Sequence, residues 1–102
     1  MTVYKVEPTG KALGDTEKAF LWIHGEAPDA AIRWYEGLLE AFESLADNPR
    51  RCGFAPENSF FNEEIRQLHY GRYRILFTIV RKTVLVLRVW HGSREYLTPE
   101  SE

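Results

Sequence analysis

At 102 residues, 44% apolar and with one cysteine, the chain has the composition of one globular domain, residues 1–102, without an intrachain disulfide. The lone cysteine and the lack of a secretory leader point to a reducing cytoplasm, and the longest apolar runs fall far short of the ~20 residues a membrane span needs. The net charge of −2 hides a segregated pattern: residues 1–64 carry 6 Lys+Arg against 12 Asp+Glu, whereas residues 65–94 carry seven bases and no acid.

In chain order, Val3, Lys5 and Glu7 alternate with Tyr4 and Val6 until Pro8 stops the run, which predicts a strand over residues 2–7. Pro8, Gly10 and Gly14 make a connection. Asp15 or Thr16 is placed to cap a helix bearing Ala19, Phe20 and Ile23, and Gly25 ends it. Pro28 suits the first turn of a second helix. There Ala31, Tyr35, Leu38, Phe42 and Leu45 recur at spacings of three and four. Ile32, Leu39 and Ala46 widen the stripe, and Asn48-Pro49 closes it. Residues 50–64 have no period and read as a loop, with an extended piece at 59–62. Three β-like runs follow at 65–70, 73–80 and 83–90. Gly71-Arg72 turns the first pair. Arg81-Lys82 turns the second without Gly, Asn or Asp, so a looser connection than the usual two-residue hairpin is expected. Residues 97–102 read as a short frayed end. The order β-α-α-β-β-β describes an α+β domain, with a helical hairpin packed on one face of a small, mainly antiparallel sheet.

Successive strand residues face opposite sides, so parity assigns faces. Tyr73, Ile75, Phe77 and Ile79 are an apolar set that should meet the helices. Leu85, Leu87 and Val89 are the matching set in the last strand. The opposite face then displays Arg66, Arg74 and Arg88 with Tyr70 and Trp90 among them, and also Leu76, Val80, Val84 and Val86. Such apolar ground is uncomfortable in water, and a hairpin covers one face only. Cover by the 50–64 loop, a second copy, or a standing partner are the alternatives. The acid-free arginines suit an anion: nucleic acid, phosphate or an acidic chain.

The stretch from Ile65 to Val80 with Tyr73-Arg74-Ile75, the ending His91-Gly92-Ser93-Arg94, and the helix with Ala31-Ile32-Arg33-Trp34-Tyr35-Glu36 and its stop Leu45-Ala46-Asp47-Asn48-Pro49 together resemble the RelE/ParE toxin superfamily of type II toxin–antitoxin modules. The resemblance spans residues 3–96 and is closer to the ParE-like, plasmid-stabilisation branch. It implies a cognate antitoxin as partner whose segment shields the toxin, and the apolar residues Leu76, Val80, Val84 and Val86 of the open face are the expected seat. It also implies one of two targets. ParE-like members inhibit DNA gyrase, and the His-Gly-Ser-Arg ending with the low pI of 5.9 favours that class. RelE-like members cleave messenger RNA in the ribosome. On that reading Arg74 would stabilise phosphate and His91 would transfer protons, as catalytic residues. A third reading is a family member without toxicity. In either active class Arg66, Arg74, Arg88, Trp90, Arg94 and Tyr96 are the candidate contacts to target or RNA.

Each candidate also has a structural alternative. Arg74 can pair with Glu57, Glu63 or Glu64 of the loop. Arg88 can cover the sheet with its stem, and His91 can be a strand-end hydrogen-bonder. His24, His69, His91 and Cys52 share no metal-ligand spacing, and no phosphate-cradling glycine loop occurs, so neither metal nor cofactor is expected.

Overall fold

Two helices lie across one face of a four-stranded sheet whose spatial order is β1-β4-β3-β2. The computed structural model describes residues 3–101. Thr2, the expected start of the first strand, and Glu102, the end of the expected tail, lie outside them. β1 (Lys5–Pro8) runs parallel to β4 (Thr83–His91), while β2 (Arg66–Tyr70) and β4 flank β3 (Tyr73–Val80) in antiparallel pairing. The hairpin is α1 (Gly10–Glu26) and α2 (Pro28–Ser44). The domain is therefore α+β in the order β-α-α-β-β-β.

α1 begins five residues before Asp15. Thr9 is its N-cap, its Oγ1 accepting the Ala12 N–H at 3.1 Å, and the same hydroxyl donates to the Leu87 carbonyl at 3.0 Å. One side chain thus closes both a helix end and the β4 edge where β1 stops. The β3–β4 turn also departs from expectation. Val80 pairs with Thr83, so Arg81 and Lys82 form a tight two-residue connection, with Arg81 in the left-handed region at φ 58°. Gly71 takes the same conformation in the β2–β3 turn, at φ 57°, without the Cβ penalty.

Parity holds along β3: Ile75 and Phe77 are fully buried against the helices with Leu38, Phe42 and Leu45. It fails along β4. Leu76 pairs with Arg88 but Phe77 pairs with Val86, which leaves Leu87 as an extra residue in a β-bulge. Val84 and Val86 therefore face the helices, as core residues at 0% exposure. After the bulge Val89 returns to that side, while Leu87 packs with the cluster on the opposite face.

That opposite face is covered by the chain itself. Leu76 and Trp90 are buried with Ala55, Ile65 and Leu97, and Phe61 and Leu87 pack against them. The 50–64 segment is two 3₁₀ turns, Pro49–Arg51 and Pro56–Phe60. Its extended contact is a bridge from Phe54 to Arg66, earlier than the expected 59–62. The tail joins in: Leu97 is 2% exposed, and a 3₁₀ turn, Pro99–Ser101, replaces the expected free end.

Candidate functional site

The strand arginines are each claimed by a partner within the chain. Arg74, buried in β3, makes a two-pronged pair with Glu57: Nη1 donates to Oε1 at 2.8 Å and Nη2 to Oε2 at 2.7 Å. Glu57 sits in the second 3₁₀ turn and is fully buried. Its Oε2 also accepts the Leu97 N–H at 3.1 Å, and Gln67 Oε1 accepts a further Arg74 proton at 3.0 Å. Burial works to raise the Glu57 carboxyl. The hydrogen bonds from Arg74 and from the Leu97 backbone outweigh it and hold the group below its ordinary range. The hydrogen bond to Glu57 raises Arg74 in turn. One carboxylate therefore fastens loop, sheet and tail together, and the Arg74–Glu57 alternative read from the sequence is the observed contact.

Arg88 reaches across the β4 edge to α1. Its Nε and Nη2 donate to the two oxygens of Asp15, both at 2.7 Å, and Asp15 Oδ2 also accepts the Val89 N–H left unpaired beyond β1. Asp15 is thus an edge clamp rather than a helix cap. Arg66 donates to the Cys52 carbonyl at 2.6 Å and lies 4.3 Å over the Phe54 ring, which pins the covering loop. Arg94 stacks 3.8 Å from the Trp90 ring, and Arg88 lies 4.8 Å from the same ring. The Trp90 Nε1–H donates to the Glu95 carbonyl at 2.8 Å. Tyr96 stays exposed, with Arg74 5.8 Å from its ring. His91 lies away from Arg74's pair. Its Nδ1 accepts the Ser93 N–H at 3.0 Å and contacts Ser93 Oγ at 2.7 Å, and its ring meets Tyr73 edge-on at 5.0 Å.

The expected open basic and apolar face is thus corrected on three counts. Tyr70 packs instead on the helix-side core, its hydroxyl donating to the Trp34 carbonyl of α2. Leu76 lies under the chain's own loop and tail, and the bulge sends Val84 and Val86 into the helix-side core. Val80 alone of that quartet is exposed, at the β3–β4 turn. The guanidinium groups of Arg66, Arg74 and Arg88 serve intramolecular contacts.

Exposed apolar surface occurs instead on the outer side of the helical hairpin. The α2 stripe is wider than its sheet contact: Ala31, Leu38 and Phe42 are buried, while Ile32, Tyr35 and Leu39 remain outside. Tyr35 meets Phe20 of α1 edge-on at 6.1 Å. With Leu13, Thr16, Glu17 and Leu39 these two rings line a groove of about 310 Å³ between the helices. The widened period at Ile32 and Leu39 was the sequence signal for this surface. Phe20 was already placed on the first helix, whereas Leu13 was hidden by the late start assigned to α1.

The sequence model of the ParE toxin of type II toxin–antitoxin systems (parDE) matches residues 6–96. The chain belongs to this family. Comparison with curated proteins gave no match. Among solved structures, the chromosomal ParDE system of P. aeruginosa contains a similar chain, with 16% identity, a TM-score of 0.73, and coverage of 87% of this chain and 96% of that one. The RelBE2 toxin–antitoxin complex of Mycobacterium tuberculosis contains another, at 28% identity, a TM-score of 0.63, and coverage of 92% and 97%. The archaeal RelE–RelB complex of Pyrococcus horikoshii OT3 adds a third, at 18% identity, a TM-score of 0.56, and coverage of 92% and 100%. The ParE-family chain therefore shares its fold with toxins of both branches. Among its described residues no helix is long and apolar enough to cross a membrane, and no cluster of potential metal ligands occurs.

Proposed function

We propose that this ParE-family toxin is held silent by a cognate antitoxin and acts by binding and inhibiting DNA gyrase. The observation that carries this reading is the buried Arg74–Glu57 pair. Transesterification of RNA needs cations free to meet a developing phosphorane. Arg74 already spends its guanidinium on a carboxylate, under a loop and a tail. A binding protein needs no such free cation. In this reading Arg66, Arg74 and Arg88 build the scaffold.

For the antitoxin, the burial of Leu76, Val84 and Val86 argues against the seat expected from the sequence, and the exposed α1–α2 groove supports a seat there instead. An amphipathic helix laying Leu- or Phe-type side chains on Leu13, Phe20, Tyr35 and Leu39 suits its apolar lining. The solved relatives are toxin–antitoxin complexes by their descriptions, which supports a partner of this kind.

Expression of the chain alone should arrest bacterial growth, and co-expression of the antitoxin should restore it. In vitro, a supercoiling reaction set beside a translation-dependent messenger-RNA cleavage reaction separates the target classes. Loss of supercoiling with intact message supports gyrase. Codon-positioned cleavage with normal supercoiling would reverse the assignment to the RelE-like class, with Arg74 and His91 as its catalytic candidates.

A further inference from the structure

Away from the antitoxin groove and the sealed face, an aromatic concavity lies where the helices pass the β2–β3 turn. Two adjoining hollows, of about 530 and 220 Å³, share Trp22, Tyr73 and His91 as lining. The indole of Trp22 is 72% exposed, a costly placement for the largest apolar side chain. The rings behind it are held in place. The Tyr70 hydroxyl donates to the Trp34 carbonyl at 2.7 Å, Trp34 and Tyr73 lie 5.3 Å apart, and His91 abuts Tyr73.

Around these rings stand Lys18, Arg72 and Arg94, all exposed. None of the three makes an ion pair among the described residues, and Arg94 is placed by its stack on Trp90. The acid in the lining, Asp15, is already committed to Arg88 and the Val89 N–H. The hollows therefore combine one exposed π-face, that of Trp22, with cations that make no ion pair among the described residues. An acidic peptide would answer the cations and leave the indole and its hollow unfilled. A planar base joined to a phosphate answers both.

We propose that this concavity binds single-stranded nucleic acid, stacking a base on Trp22 and holding backbone phosphates between Lys18, Arg72 and Arg94. The proposal is independent of the gyrase reading, since either a DNA strand or a message has this chemistry.

The test titrates the full-length chain into fluorescein-labelled dT12 and U12 at low salt, reading anisotropy. Trp22→Ala, Trp22→Phe, Arg72→Ala and Arg81→Ala variants run alongside, each checked by circular dichroism. Binding should weaken roughly tenfold or more for Trp22→Ala, the order expected for one lost stacked base, and recover in Trp22→Phe. Arg72→Ala should lower the slope of log K against log salt by about 0.7, the value of one phosphate contact on a single strand. Arg81→Ala, at the far end of β3, should match the parent. Preference for dT12 or U12 identifies the source of the strand. The proposal is overturned if neither oligonucleotide binds, if Trp22→Ala binds like the parent, or if a twelve-residue polyglutamate displaces the oligonucleotide at equal concentration.

Discussion

Removing the Glu57 carboxylate is the most informative single perturbation of the fold. Glu57→Ala deletes both oxygens that accept from Arg74 and the acceptor of the Leu97 N–H, and leaves a guanidinium at 7% exposure without its counter-charge. Breaking one side of a buried, hydrogen-bonded pair costs about 3–5 kcal/mol, because the surviving charge is stranded. The Gln67 carbonyl, 3.0 Å from Arg74 Nη1, offsets part of that cost, so the lower end, about 3 kcal/mol, is expected. For a domain near this size that corresponds to a Tm lowered by roughly 12–24 °C. Urea denaturation followed by far-UV circular dichroism gives the free energy directly, with the midpoint falling and the slope unchanged. The Arg74→Ala partner and the double variant complete a cycle, whose coupling should account for most of the single-variant loss. A loss below about 1 kcal/mol for Glu57→Ala would mean that the pair does not fasten the loop, and the clamp argument fails.

The same pair sets an acid limit. Glu57 is depressed in the folded chain relative to ~4.3 when unfolded, so its contribution is fully present above the unfolded value and lost as pH falls through the folded one. Stability against pH should therefore drop steeply below about pH 4, and Glu57→Gln should flatten that limb. Gly37→Ala, which ordinarily helps a helix by up to ~1 kcal/mol, should destabilise here by about 1–3 kcal/mol, since its Cβ collides with the Tyr70 hydroxyl and displaces it from the Trp34 carbonyl. Thermal melts of the two proteins decide the sign. Arg81→Gly relieves a left-handed non-glycine residue and should raise stability by about 0.5–1 kcal/mol in the same melts, with growth arrest unchanged. Leu39→Glu in the interhelical groove should weaken antitoxin binding tenfold or more by calorimetry while leaving the fold intact.

What was legible in the sequence was whatever repeats with a period. Pro28 and the three-four spacing marked α2, and the uniform apolar set Ile75, Phe77 marked the buried side of β3. β4 defeated parity because residues 84–87 are Val, Leu, Val and Leu, so either face looked apolar and the bulge at Leu87 left no compositional trace. α1 was shortened because Gly10 and Gly14 read as a connection, whereas the structure starts the helix at Gly10 with Thr9 as its cap. The site suffered most from the aperiodic stretch. Glu57 was among three acids that matched Arg74, but which of them folds over the sheet depends on the 3₁₀ turn of Pro56–Phe60 and on Leu97, contacts remote in sequence. Of the three alternatives left open for the apolar face, cover by the 50–64 loop is the one observed, with Leu97 of the tail added to it. The family assignment stands on the match over residues 6–96.

The measurement closest to the central claim compares the parent with the Glu57→Gln, Arg74→Met double variant in the gyrase supercoiling reaction. The pair is there replaced by neutral groups of similar volume, and the acceptor for Leu97 is kept. If the toxin works by binding and Arg74 is a fastening, the folded double variant inhibits supercoiling within about threefold of the parent and cleaves no message. Inhibition abolished in a folded variant, or ribosome-dependent cleavage by the parent that vanishes with Arg74, contradicts it.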